Sequence, residues 1–461
     1  MNFYEHYGNI YVYKGGVFHM KIKKIIASVL TAVCVAGLIP ADHDVSAASL
    51  KIRYNGKTRY YTGKQLKFTY AKKNLSSKYP GIQINQVNMI PYYDYIVKHG
   101  PKVKRSYSSK KGKLTLKYGS KTLTMYIGKR IYYVNGKKKT FSTAPVKVKY
   151  YTTKKTVILV PANAVISNLG LEYSYIPYSS RVHINKKGYR YTYSSNTSTS
   201  YMFRLSSYIS SELKQVASYG GMKLTPDKYN TYIDPSKDTT HGYQFLRLNV
   251  YRPVQSSTYN SLLNSKVKSY SVLRNKGSVL NAAAKTYKID PVYFLCQTIL
   301  ETGYGTSTLS QGKYITKVIS GASVVRNSRG TVTGFKKVNG KYITKSISKR
   351  KVYNLYGIKA YDSDPQLCGF SYAYYNGWTS VNKAVNGAAK YVSQEYINNS
   401  TYRQNTLYKY RYNPNSSYLW HQYATDPAYA QKIASIMYSQ FRNAYATGNT
   451  LTYDRPIFQS K

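Results

Sequence analysis

Acidic residues are scarce in this chain. Its 461 residues include 16 Asp+Glu against 69 Lys+Arg, a formal charge of +53. That imbalance implies a polyanionic neighbour, either nucleic acid or an anionic surface. Cysteine is scarcer still at three, which excludes a disulfide-built scaffold. Histidine is thin and scattered. His99, His183, His241 and His421 form no HExxH or Cys/His spacing, so metal catalysis has no support and no cofactor is expected. There is no Gly-x-Ser-x-Gly elbow and no phosphate-cradling loop, and neither Cys296 nor Cys368 has a histidine near it in a known nucleophile motif.

The chain is rich in tyrosine, with 57 rings that are apolar yet carry a hydroxyl. At roughly 150 residues per domain, its length predicts two or three domains. From Met20 it reads "MKIKKIIASVLTAVCVAGLIPADHDVSAASL". Lys21, Lys23 and Lys24 precede an apolar stretch from Ile25 to Leu38, followed by small residues at Val45, Ala47 and Ala48. This pattern predicts a secretory signal peptide over 20–47, cleaved after Ala47 or Ala48. Residues 1–19 have no targeting logic and read as an over-long start. Cys34 lies inside the signal behind Val33, which is bulkier than a lipoprotein cleavage site accepts. No other long apolar segment follows, so no transmembrane segment is expected after signal removal. An exported protein meets little nucleic acid. The charge is therefore expected to serve a polyanionic envelope, such as a bacterial cell wall carrying phosphate polymers. Codon bias towards Lys, Tyr and Asn is the competing account, and it does not explain the scarcity of acids. Cys296 and Cys368 remain, either paired in the oxidising exterior or inert.

Residues 50–184 alternate apolar and polar, and Asn135-Gly136 marks a hairpin. The module repeats itself: "VNMIPYYDYIVKHGPKVKRSYSSKKGKLTL" and "VILVPANAVISNLGLEYSYIPYSSRVHI" both run strand, proline, short helix, glycine, strand, turn, strand. Pro91 and Pro161 stand at equivalent places, where proline favours the first helical turn. With "YVNGK", the Val-Pro turn and "LGLEYSY", residues 82–184 resemble the copper amine oxidase N-terminal domain. The resemblance implies a non-catalytic stalk or wall-contacting module, and no histidine cluster here could hold copper. Residues 185–201 have linker composition.

From Phe203 the spacing turns helical. In "SVLNAAAKTYKIDPVYFLCQTILETG", Asp290 and Pro291 predict a capped helix start, and Gly303 and Gly305 its stop. Glu301 thus falls at the C-terminal end of a buried helix, where cations are favoured. A partly buried carboxyl has a raised pKa and can hold a proton for a leaving oxygen. A strand-like segment over 313–358, turning at 327–330 and at Asn339-Gly340, is followed by more helical spacing up to the YSQF segment. Together these give a mainly α, lysozyme-like domain with a small β lobe over 202–449, and a tail over 450–461.

"ILETGYGTSTLSQG", "YNLYGIKAYDSDP", "FSYAYYNGW" and "WHQYATDPAYAQKI" resemble the glucosaminidase autolysins of glycoside hydrolase family 73, which cut the N-acetylglucosaminyl-β-1,4-N-acetylmuramyl bond of peptidoglycan. The resemblance implies that Glu301 is the general acid and that Tyr423 lines the site, with glycan strands as substrate. The chain departs from the two-carboxylate pattern, because no Asp or Glu occurs between Thr302 and Tyr361. Asp362 is the first candidate for a second group. Asp364 and Asp426 each precede proline and read as caps, and Glu395 stands behind them. The alternative is a substrate-assisted route in which the sugar's own acetamido oxygen attacks. Tyr304, Tyr356, Tyr374 and Trp378 are candidate sugar platforms, and Gly357 would admit a glycan close to the backbone. Muramidase or transglycosylase chemistry on the same fold, and a non-catalytic wall binder, are the competing readings.

Overall fold

The structure is a computed structural model that describes residues 49–460. The expected signal peptide, the over-long start and Cys34 lie outside the described residues. The chain divides into two units meeting between Tyr189 and Arg190.

The first unit is β-rich. Its strands are β1 (Leu50–Tyr54), β2 (Lys57–Tyr61), β3 (Lys67–Tyr70), β4 (Lys73–Leu75), β5 (Ile82–Ile84), β6 (Val87–Pro91), β7 (Lys104–Ser108), β8 (Lys113–Tyr118), β9 (Lys121–Tyr126), β10 (Ile131–Val134), β11 (Lys137–Thr140), β12 (Val146–Tyr150), β13 (Lys155–Pro161), β14 (Leu171–Ile176) and β15 (Arg181–Lys186). They form a six-stranded sheet ordered β2-β1-β12-β13-β6-β5, a meander β11-β10-β9-β8-β7 and a sheet β14-β15-β3-β4. Alternation places the faces: in β12, Val146, Val148 and Tyr150 point inward while Lys147 and Lys149 face water. Asn135 and Gly136 both have positive φ, at 47° and 81°, as a two-residue primed turn demands.

The internal repeat is real and has a local two-fold relation. β6 and β13 pair antiparallel about Ile90↔Val160. The first leads into a π-helical turn (Tyr93–Lys98) and the second into helix α1 (Ala162–Asn168). The prolines sit one step earlier than the sequence predicts. Pro91 and Pro161 are the last residues of their strands, and Pro161 is the N-cap of α1 rather than its first helical residue.

The stretch read as a linker is largely a strand. β16 (Tyr193–Arg204) runs parallel to the chain's last strand, from Tyr193↔Thr450 to Arg204↔Gln459, so the expected tail is its partner. Its Ser/Thr/Asn-rich composition conceals this because the pairing is made across some 250 intervening residues. Helix α2 (Leu205–Gln215), a short hairpin of β17 (Ser218–Tyr219) and β18 (Met222–Lys223), α3 (Pro226–Ile233), α4 (Ser256–Lys266), α5 (Gly277–Thr286), α6 (Pro291–Glu301) and α7 (Thr308–Gln311) follow. The β lobe comes next: β19 (Lys313–Ile319) pairs with β22 (Thr344–Val352), and β20 (Val324–Arg326) with β21 (Val332–Phe335). Helices α8 (Pro365–Tyr375), α9 (Val381–Val392), α10 (Leu407–Arg411) and α11 (Tyr429–Ile436) lead to β23 (Thr450–Gln459). The unit is mainly helical with a small β lobe, as expected. Among the described residues no helix is long and apolar enough to cross a membrane.

The closing strand is tied to the core by charge. Asp454 of β23 accepts from buried Lys409 of α10 at 2.8 Å and from Thr199 of β16 at 3.0 and 3.1 Å. Removing one member of a buried pair strands the other away from water, at a cost of roughly 3–5 kcal/mol. Asp454→Ala should therefore lower the urea midpoint by a corresponding amount. An unchanged midpoint would show that β23 is not part of the cooperative core.

Candidate active site

Helix α6 is buried along its first nine residues, Pro291 to Ile299. Its start is held by Asp290, whose Oδ1 accepts from the amides of Val292 and Tyr293 at 3.0 and 2.9 Å. The same carboxylate accepts from Arg252 at 2.8 Å and from the Tyr445 hydroxyl at 2.9 Å. The other end is set by "ETGYG". Thr302 Oγ1 donates to the Thr298 carbonyl at 2.6 Å and accepts from the Gly305 amide at 2.8 Å. Gly303, Tyr304 and Gly305 all have positive φ, and a Cβ on Gly305 would meet Ser271 Oγ at 2.2 Å. Both glycines are needed for the turn that ends the helix at Glu301.

Glu301 is half-buried, and its two oxygens differ. Oε1 accepts from the Tyr423 hydroxyl and from Gln297 Nε2, each at 2.8 Å. Oε2 is enclosed and has no partner. The Gln297 amide is fixed in turn by the Tyr429 hydroxyl, which donates to its Oε1 at 2.7 Å. Tyr423 stacks on Tyr429 at 5.3 Å and meets Tyr396 edge-on at 5.1 Å. Among the described residues no cation pairs with Glu301. Burial therefore pushes its pKa up to about 7, against the pull of the Tyr423 and Gln297 donors. Such a group holds a proton near neutrality, with Oε2 as the free position for it.

The loop carrying Tyr423 is anchored by a second buried pair. Glu212 of α2 accepts from Arg411 of α10 at 2.6 Å and, through both oxygens, from Gln422 at 3.0 Å. Arg411 also donates to the carbonyls of Thr425 and Asp426, and the Tyr423 amide donates to the Tyr410 carbonyl at 3.0 Å.

The structure thus brings Glu301 and Tyr423 into contact. Asp362 is exposed, and no hydrogen bond or ion pair among the described residues joins it to the Glu301 network. Asp364 caps α8 through the Leu367 amide, and Asp426 caps the Ala428 amide and pairs with Lys432. The sugar platforms separate by burial. Tyr356 is in the core, its hydroxyl 2.9 Å from Thr298 Oγ1, so it cannot offer a face as expected. Trp378 is likewise buried, against Gly387, where a Cβ would come within 2.3 Å of the indole. Tyr374 is half-buried beside Arg350, and Tyr304 is exposed. Gly357 has φ +57 in a turn held by Asn354, which accounts for the glycine without a ligand. Sequence reasoning missed Gln297 and Tyr429. Gln297 was legible as the i−4 neighbour of Glu301 on one helix face, but Tyr429 needed the fold. Cys296 and Cys368 are both buried and unpaired.

A carboxyl whose folded pKa lies above its unfolded value near 4.5 opposes folding once it ionises. The penalty is absent below about 4.5 and complete above about 7. At about 1.4 kcal/mol per unit, Glu301→Gln should stabilise the protein by roughly 3–4 kcal/mol at pH 8, and the gain should vanish at pH 4. Equal stability of variant and parent at pH 8 would contradict a retained proton. The chain has only five glutamates, so carboxyl 13C NMR can follow Glu301 itself. Tyr423→Phe, which removes a donor to the charged form, should move that titration upward.

Residues 277–441 match the family model described as mannosyl-glycoprotein endo-beta-N-acetylglucosaminidase, and residues 69–153 match the copper amine oxidase N-terminal domain. The chain is 32% identical over 244 residues to a beta-N-acetylglucosaminidase of Bacillus subtilis (strain 168), a match that covers 52% of this chain and 23% of that protein. It is 37% identical over 202 residues to a bifunctional autolysin of Staphylococcus aureus (strain Mu50 / ATCC 700699), covering 44% and 14%. The chain therefore spans less than a quarter of the length of these relatives. Similar solved structures include a major bifunctional autolysin, 27% identical over 59% of this chain and 99% of that one with a TM-score of 0.38. Another is S. aureus glucosaminidase B, 24% identical over 58% and 96% with a TM-score of 0.42. Glu212 and Asp454, which clamp α10, both lie outside the matched segment 277–441. The helical unit carries a glucosaminidase domain homologous to these proteins, and a copper amine oxidase N-terminal-like module precedes it.

Proposed function

We propose that this chain hydrolyses the N-acetylglucosaminyl-β-1,4-N-acetylmuramyl bond of peptidoglycan, with Glu301 as general acid. The observation that carries the reading is the asymmetric carboxyl: one oxygen fixed by neutral donors, the other unpartnered, and a pKa of about 7. A protonated acid at that place can give its proton to the bridging oxygen as the glycosidic bond breaks. The glucosaminidase family match and the names of the relatives support the linkage.

With no Asp or Glu between Thr302 and Tyr361, the reading takes the substrate-assisted route. The acetamido oxygen of the sugar attacks the anomeric carbon, the Glu301 proton passes to the leaving oxygen, and water then opens the cyclic intermediate with Glu301 as base. Tyr423 holds Glu301 through its hydroxyl. Glu301→Gln should lower turnover by about 10²–10⁴, whereas Asp362→Asn should retain most of it. Equal loss in both would favour a two-carboxylate mechanism. Because the acid must be protonated, activity should fall as pH rises through about 7. Mass spectrometry of the fragments should show reducing-end N-acetylglucosamine. Anhydro-muramic ends would mean a transglycosylase, and no new ends would mean a binder.

The β-rich module is read as a retention device for anionic wall polymers on an exported protein. Between residues 49 and 189 only Asp94 and Glu172 are acidic, and its lysines and arginines crowd exposed strands such as β11, with Lys137, Lys138 and Lys139 in water. Exposed charges are screened over about 8–10 Å at physiological ionic strength. Raising salt should therefore release the protein from isolated walls, and retention at high salt would point to recognition by shape.

A further inference from the structure

The chain has two tryptophans, and the fold treats them oppositely. Trp378 is buried, while Trp420 is 64% exposed. Trp420 stands three residues before Tyr423 in the loop that delivers the Tyr423 hydroxyl to Glu301. Its surroundings hold the exposed ring in place. Rings adjoin it steeply inclined on three sides: Tyr402 at 6.2 Å and 79°, Tyr418 at 6.3 Å and 76°, and His421 at 5.5 Å and 79°.

The backbone on both sides is pinned. The His421 amide donates to the Tyr418 carbonyl, the Gln422 amide to the Trp420 carbonyl, and buried Gln404 donates to the His421 carbonyl at 2.7 Å while its Oε1 lies 2.7 Å from the His421 ring. His421 stacks on Tyr402 at 3.6 Å. From there the rings continue inward, His421 to Tyr396 at 4.8 Å and Tyr396 to Tyr423 at 5.1 Å. One unbroken aromatic track thus joins the exposed indole to the tyrosine that touches Glu301.

We propose that Trp420 is a sugar platform, stacking on the apolar face of an aminosugar ring of the glycan strand outside the scissile linkage. This rests on the peptidoglycan reading of the site. An indole face matches the axial C–H face of a β-linked pyranose, and a platform already fixed loses little freedom when the strand arrives. It takes the role that sequence reasoning gave to Trp378.

The two tryptophans make the test direct. In full-length Glu301→Gln protein, which binds without cutting, peptide-free glycan strands released from murein should blue-shift and alter tryptophan emission at saturation. Because the remaining Trp378 is buried, the same titration of Glu301→Gln/Trp420→Ala should leave emission still. In otherwise unaltered protein, Trp420→Ala should raise KM about three- to tenfold, with kcat falling less and Trp420→Phe restoring part of the affinity. Unchanged emission while co-sedimentation shows the strands bound, absence of binding, or a KM equal to the parent's would each overturn the platform. If emission shifts while the parent releases no reducing ends, the platform stands and the hydrolase reading fails instead.

Discussion

A carboxyl group turned from water and left without a cation, in a chain of 69 basic residues, is the constraint around which the helical unit is built. Three other buried carboxylates, Asp290, Asp454 and Glu212, each have a basic partner within 2.8 Å. Glu301 has only neutral donors. The difference governs chemistry: an ion pair would hold the carboxyl ionised, whereas amide and phenol donors orient it and leave its proton affinity high. Lysines are plentiful, yet their charge stays in water or is neutralised elsewhere, so the low-dielectric end of α6 is not flooded by it.

The paired carboxylates prepare that end. Asp290 and Arg252 set where α6 begins, and the Thr302–Gly305 turn sets where it stops. Glu212 and Asp454 grip Arg411 and Lys409 on either side of Tyr410, the residue whose carbonyl receives the Tyr423 amide. Segments outside the glucosaminidase match therefore position the tyrosine inside it. Tyrosine itself supplies much of the remaining order. Tyr201, Tyr208, Tyr259 and Tyr412 are buried, and each donates its hydroxyl to a backbone carbonyl, for Tyr201 and Tyr208 one more than 200 residues away. Ring burial and carbonyl satisfaction come from one side chain, which is how a core so rich in phenols avoids stranded polar groups at these places.

Helix α6 was legible because its signals are local: Asp-Pro at the start, an apolar run, glycines at the stop. The β-rich module was legible through alternation and the Asn135-Gly136 turn, and its duplication through repeated order. β16 and β23 were not, since a parallel pairing across most of the unit leaves no mark in a polar segment, and such strands look like a linker and a tail. The site divided the same way. Glu301 and Tyr423 could be named from their motifs, but Tyr356, Trp378 and Trp420 are indistinguishable by type.

Residue order alone was enough for the placing of Glu301 at the end of a buried helix, the turn that ends that helix, the two-unit plan and the excess of positive charge, because each is written in short-range patterns or totals. Folding was needed to choose which aromatic rings meet water, which carboxylates meet cations, and which oxygen of Glu301 stays unpartnered. Those outcomes depend on groups brought together from Glu212 to Asp454, and burial and pairing are properties of neighbours that the order of residues does not list.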